Sequence, residues 1–497
     1  MEKTTLKLHT DFTISEVDER IFGGFIEHMG RCVYEGVYDP DCIHADENGF
    51  RMDVLNALGQ LKMTAMRYPG GNFASGYNWL DGIGPKSQRP VMRELAWQSI
   101  ETNQFGTDEY IEMCRKMGWT PMLTVNLGTG TPEQARNWVE YCNCPEGTKY
   151  ADMRVANGSK EPFDVKLWCL GNEMDGPWQL GHVPARDYAI RAQQAAKMMR
   201  DVDKTIETVV CGSCGTGLPT YMEWDREVME YCWDYIDYIS LHNYAGNRSD
   251  NTADYLANSE VIDDQIEALA AATRYVQALL KSKKMVHLCF DEWNVWYKNQ
   301  EMDGRGKKAP HLIEEVYNLE DAVVVAGYLN SFIRHSDVVK IANIAQVVNI
   351  IAPILTRGDE MLLQSIYYIF DMYSNRRQGV SLRQSIDGGV YETSEGREVK
   401  YLDSSAILDG DKLSVFVSNR NLDEDMLLTV DIADADIIKA ENAQVLAGKN
   451  VKEVNSFENP SVLNSHDFVA DIKIEDGKAF LTLPPVSVAA ATFTLKR

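Results

Sequence analysis

The chain has 497 residues, enough to bury a large core and to form two or three domains. Its 74 acidic residues against 49 basic ones give a formal net charge of −25, which repels nucleic acid backbones and anionic membranes and favours neutral or cationic substrates. The N-terminal stretch "MEKTTLKLHTDFTISEVDER" has no apolar leader core, and no run reaches the roughly 18 apolar residues that span a bilayer, so a cytoplasmic protein without nucleic acid or membrane partners is expected.

The first strand-like segment is "TLKLHTDFTI" (5–14). Eight short apolar or β-branched runs follow, each ending in polar or glycine residues. The first four are "IFGGFIEH" (21–28), "TAMRYPGGN" (64–72), "PMLTVNLG" (121–128) and "VKLWCLGNE" (165–173). The second four are "TVVCGSCG" (208–215), "YISLHNYAG" (238–246), "MVHLCFDEWN" (285–294) and "VKIANIAQVVN" (339–349). Segments with helical spacing lie between them, at 107–118, 131–142, 185–202, 262–284 and 319–335. Strands apolar on both faces, alternating with helices, predict a closed (β/α)8 TIM barrel over residues 18–384. From 385 to 497 the apolar period becomes two, with turn residues such as Asp476 and Gly477, which predicts a C-terminal antiparallel β-sandwich of jelly-roll type. The opening segment, 1–17, is expected to pack as a strand on that domain. There is no internal repeat and no low-complexity linker.

Ten cysteines, Cys169 and Cys289 among them inside apolar runs, read as small core residues. Cys211 and Cys214 have dithiol spacing but no second half-site, and Cys142 and Cys144 lack two further zinc ligands, so structural thiols are expected. The glycines of "YPGGN" (68–72) and "DGIGP" (81–85) lack phosphate-loop spacing and suit tight turns lining a pocket. There is no G-x-S-x-G elbow for a serine nucleophile.

In such barrels the active site lies at the C-terminal ends of the strands. Those ends deliver Glu27 and His28, Arg67 and Asn72, Asn126, Asn172 and Glu173, Cys214, then His242, Asn243 and Tyr244, then Asp291, Glu292 and Asn294, and finally Asn343 and Gln346. A single Glu at a strand end is commonly a salt-bridge or cap residue. Here the fourth strand ends in Glu173, with Trp178 following, and the seventh in Glu292, with Trp293 and Trp296 following. Opposite strands of an eight-membered ring place these carboxyls across the mouth from each other. Glycoside hydrolysis needs that pair, and the amides and tryptophans suit sugar hydroxyls and sugar faces. Glu27, His28, Glu173, His242 and Glu292 would also suffice for a divalent metal, as in barrel sugar isomerases, but no HxH or HExxH pair supports one, and neither metal nor cofactor is expected.

The motifs "FGGFIEHMGRCVYEGVYDP", "MRYPGGNFASGYNWLDGIGP", "GNEMDGPWQLGH" and "DEWNVWY" resemble glycoside hydrolase family 51, the α-L-arabinofuranosidases, and the similarity runs along the whole chain. The resemblance implies a barrel with catalytic Glu residues on strands four and seven and a C-terminal β-sandwich. It implies Glu173 as general acid/base and Glu292 as nucleophile. It further implies furanose-binding roles for Glu27, Asn72, Asn172, Tyr244 and Gln346, with Arg67 and His242 keeping the nucleophile ionised. Trp97, Trp178 and Trp296 become aromatic walls for the leaving sugar. The expected activity is the exo-acting, retaining release of terminal α-L-arabinofuranosyl residues from arabinan- and arabinoxylan-derived oligosaccharides by an intracellular homohexamer. An endo-acting glycanase on a related barrel is the alternative, with a metal-dependent isomerase behind it.

Overall fold

The computed structural model describes residues 2–496. Eight parallel strands close a barrel: β1 (Gly23–Phe25), β2 (Ala65–Tyr68), β3 (Thr120–Thr124), β4 (Leu167–Leu170), β5 (Glu207–Val210), β6 (Tyr238–Ala245), β7 (His287–Val295) and β8 (Val339–Ala345). Each falls within, or one residue from, one of the eight apolar runs. The helices Thr107–Met117, Pro132–Asn143, Ala185–Val202 and Leu319–Arg334 match their expected spans. The helix expected over 262–284 runs instead from Asn258 to Leu280, because Lys281 takes a left-handed cap at φ 53°. Helices Met52–Gln60, Glu223–Cys232 and Ser365–Ser374 complete the outer ring.

Alternation along the strands sorts two cores. Met122, Leu167, Cys169, Val209, Tyr238, Cys289 and Ile341 point inward and fill the lumen as one small apolar cluster. Their neighbours, such as Trp168 and Leu170, face the helix layer and join the large outer core. The lumen is thus sealed below the mouth, and polar chemistry is confined to the layer above. All ten cysteines are free, and Cys169 and Cys289 are lumen packing.

The second module is two packed sheets sharing a core of Leu6, Leu428, Val430, Val415, Ala489 and Phe493. Its pairings are antiparallel except that Glu2–Leu8 runs parallel to Met426–Ile432. Thr13–Glu16 and Val380–Leu382, both upstream of residue 385, also lie in this module. Arg334, at the end of the seventh barrel helix, ties the modules through a 2.8 Å ion pair to Asp403. No helix among the described residues is long and apolar enough to cross a membrane.

Candidate active site

Strand β4 stops abruptly because the backbone turns left-handed: Gly171 has φ 93° and Glu173 itself φ 44°. The turn is closed by Gly176, whose N–H donates to the Glu173 carbonyl at 2.8 Å. It lifts the Glu173 carboxyl into the mouth, where Trp178 Nε1–H donates to Oε2 at 2.9 Å and the His242 ring lies 2.9 Å from Oε1.

Strand β7 solves a different problem. Asp291 and Glu292 are consecutive, so simple alternation would send one of them outward. The strand carries an extra residue relative to both neighbours: Ser240 and His242 pair with Cys289 and Glu292, while Phe290 and Trp293 pair with Ala342 and Ile344. That bulge turns both carboxylates inward. Glu292 accepts from Arg67 Nη1 at 2.7 Å and from the Tyr244 hydroxyl at 2.7 Å. Asp291 sits below, bridging Arg67 Nε at 3.3 Å and His242 Nε2 at 3.2 Å.

The glycines of "YPGGN" bring backbone against these groups. A Cβ on Gly71 would lie 2.7 Å from Glu292 Oε1, and one on Gly70 2.5 Å from Glu27 Cγ. Glu27 is the third carboxyl. It accepts from the Phe73 N–H at 2.9 Å, from Trp97 Nε1 at 3.1 Å and from Gln346 Nε2 at 3.3 Å. Burial, with the negative charge of Glu292 adding to it against the Phe73 hydrogen bond, pushes its carboxyl up to about 8. Asn172 accepts from Arg67 Nη2 at 2.8 Å and donates to Asn72 at 3.4 Å. Trp296 lies edge-on to Tyr244, 5.9 Å between ring centroids.

All twelve expected site residues therefore connect around one mouth. Two details differ from the sequence reading. His242 lies nearer Glu173 (2.9 Å) than Glu292 (3.6 Å), so it attends the fourth-strand carboxyl first. Trp293 is fully buried against Tyr328 and Phe332 in the helix layer, because the residue after the bulge points outward. Several strand-end amides serve the backbone instead: Asn294 donates to the Ala345 carbonyl, Asn343 to that of Gly24 and Asn126 to that of Tyr77. The group that sequence reasoning left without a role is Asp291. Its signal was available as the acidic residue directly before Glu292, but the bulge that brings Glu292 onto the same face was not.

Burial alone would lower the basicity of His242, but the charges of Glu292 and Asp291, with the hydrogen bonds to Asp291 and Glu173, hold it well above its usual value. Asp291 is brought down to about 2, burial being outweighed by Arg67 and His242. One atom each of Glu173, His242 and Glu292 lie within 4.8 Å of one another, close enough on distance to hold a divalent ion. A protonated imidazole has no lone pair to offer, however, and Arg67 already brings a second positive charge to Glu292. The donor set suits an acid and a carboxylate better than a metal.

A closed parallel barrel with two carboxyls meeting across its mouth from opposite strands defines a glycoside hydrolase architecture. Residues 57–263 match the model of the α-L-arabinofuranosidase 1 domain, and 291–487 that of the α-L-arabinofuranosidase C-terminal domain. An intracellular exo-α-(1→5)-L-arabinofuranosidase of Acetivibrio thermocellus is 43% identical over 87% of this chain and 88% of its own. An exo-α-(1→6)-L-arabinofuranosidase of Bifidobacterium longum is 40% identical over 99% of this chain and 97% of its own. Among solved structures, a family 51 α-L-arabinofuranosidase from Bifidobacterium longum superposes with a TM-score of 0.95 at 35% identity, covering 99% of this chain and all of its own. The chain belongs to glycoside hydrolase family 51, the α-L-arabinofuranosidases.

Proposed function

We propose that the protein releases terminal non-reducing α-L-arabinofuranosyl residues from arabinan- and arabinoxylan-derived oligosaccharides by a retaining double displacement. The observation that carries the mechanism is the separation of the two carboxyls: oxygens of Glu173 and Glu292 come within 4.8 Å. Retaining enzymes hold the pair about 5–5.5 Å apart, whereas inverting ones leave about 6.5–9.5 Å for a water.

Glu292, which takes hydrogen bonds from Arg67 and Tyr244, acts as the nucleophile. One of its oxygens bonds to the anomeric carbon as the glycosidic C–O bond breaks. The leaving oxygen takes the electron pair and a proton from Glu173. Water then attacks the anomeric carbon, Glu173 accepts its proton, the ester to Glu292 breaks, and arabinose leaves with retained configuration. Glu27, Asn72, Asn172, Gln346 and Tyr244 face the furanose hydroxyls. A neutral Glu27 both donates and accepts, which fits a sugar hydroxyl. Trp178, 56% exposed beside Glu173, is placed where the leaving sugar departs, with Trp97 and Trp296 walling the pocket. An intracellular location is supported by the naming of relatives as intracellular. A homohexameric assembly rests on family resemblance.

The test is incubation with p-nitrophenyl α-L-arabinofuranoside, following nitrophenol by absorbance and the first-formed anomer of arabinose by NMR. Rapid release with the α-anomer appearing first is expected and should survive EDTA. Release of the β-anomer first would overturn retention. No release, with cleavage inside arabinan or xylan chains, would support an endo-acting glycanase instead.

A further inference from the structure

Neither catalytic carboxyl touches Asp291, yet Asp291 touches both of the cations that serve them. It is fully buried, and its two oxygens are divided. Oδ1 takes the Ser240 hydroxyl and lies 3.2 Å from His242 Nε2, while Oδ2 lies 3.3 Å from Arg67 Nε. From those two cations the contacts continue outward, Arg67 to Glu292 and His242 to Glu173. Cys289 faces the lumen, so alternation places Asp291 inside as well, and the β7 bulge then brings Glu292 in beside it, seating both carboxylates in one buried cluster.

Resting on the double displacement proposed above, we infer that Asp291 is a positioning residue that holds the buried cluster electrically neutral through the whole reaction, keeping the proton on the Glu173–His242 pair. The bookkeeping follows from the contacts. Before reaction, with Glu173 protonated, the cations Arg67 and His242 face the anions Asp291 and Glu292. In the glycosyl-enzyme, Glu292 is a neutral ester and Glu173 has given up its proton, so two cations again face two anions. The negative charge moves from one catalytic carboxyl to the other, and Asp291 supplies the constant second anion. Without it the resting cluster would carry one unpaired buried positive charge, which is strongly disfavoured unless a proton is lost. The proton would leave from the Glu173–His242 pair, whose facing atoms lie 2.9 Å apart.

His242 faces Glu173 from the β4 turn, Ser240 on β6 and Asp291 and Glu292 on β7, and the charge of Asp175 also reaches it; Arg67 from β2, the thiol of Cys214 after β5 and Tyr244 on β6 act on the carboxylates around it. Burial raises Asp175 to about 6, opposed by the Cys214 N–H and supported by Glu173. Cys214 and Tyr244 are raised and remain neutral.

Asp291→Asn keeps the shape and removes the charge. Measured as kcat/KM against pH on aryl α-L-arabinofuranosides, its basic limb, where the acid proton is lost, should move to lower pH by about one unit or more. The loss at neutral pH should be larger for a poor leaving group than for nitrophenol. Ser240→Ala removes a hydrogen bond that stabilises the Asp291 charge, leaving that charge freer to act on His242. Its basic limb should move the other way, upward by a few tenths. Should Asp291→Asn fail to fold, the direction of the Ser240→Ala shift decides. A uniform loss of activity with the basic limb unmoved would reduce Asp291 to a structural role and overturn the inference. Failure of the unmodified enzyme to release nitrophenol would instead sink the parent reading.

Discussion

The ends of β4 and β7 carry the same side chain and differ in nearly everything else. Glu292 lies on a bulged but extended strand, its side chain 7% exposed, clamped by Arg67 and Tyr244. Glu173 sits on a left-handed residue of a turn, its side chain 12% exposed, touched by one imidazole and one exposed indole. A nucleophile must stay charged and meet one carbon at one angle, so it is held by fixed donors on a rigid strand. An acid/base must exchange protons with a leaving group and then with water, so it stands at the open side. On the proposed mechanism, identical residues thus acquire different tasks from the backbone beneath them.

The largest effect should come from breaking the rigid side. Glu292→Ala should lose on the order of 10⁴-fold or more in kcat on every substrate, whatever the leaving group. Azide should restore part of the activity, and NMR of the product should show the β-arabinofuranosyl azide, because the small anion enters from the side the carboxylate occupied. An α-azide from this variant would exchange the roles of the two residues.

Glu173→Ala sharpens the contrast. It should lose about 10²- to 10⁴-fold on oligosaccharides, whose leaving oxygen needs a proton. The first step on an activated aryl arabinofuranoside should be nearly spared, so nitrophenol appears as a burst in stopped-flow traces. Azide should now yield the α-azide, attacking an intact glycosyl-enzyme. Equal losses on activated and natural substrates would remove the assignment.

Much of this was legible from residue order. Eight runs apolar on both faces, alternating with helices, fit a closed barrel better than an open sheet, and in that barrel a Glu ending the fourth strand and one ending the seventh face each other across the ring. What alternation could not show is where it fails. The extra residue in β7 reverses the faces that a period of two assigns beyond Asp291, bringing Glu292 in beside it and sending Trp293 out to Tyr328. Strand-end amides misled for a related reason: Asn126, Asn294 and Asn343 look like sugar ligands in the sequence, but the loops leaving a barrel expose carbonyls that need donors. Nor could the sequence show that Gly70 and Gly71 are needed for close approach to two carboxylates and not merely for a turn.

The smallest effect tests the open side by one hydrogen bond. Trp178→Phe keeps an aromatic face for the leaving sugar and deletes the N–H that reaches Glu173 Oε2 at 2.9 Å. A hydrogen bond from an exposed donor to a carboxylate contributes about 1 kcal/mol, so a loss of roughly three- to tenfold is expected. Because the lost bond favours the ionised form of Glu173, the loss should fall on glycosylation, the step that generates that charge, and should appear in kcat for oligosaccharides, whose leaving oxygen needs the proton, and hardly at all for an activated aryl substrate. Trp178→Ala removes the face as well and should raise KM for oligosaccharides while adding little for a nitrophenyl substrate. If both variants change only KM, the indole is a wall and nothing more, and the open side of the site is tuned by His242 alone.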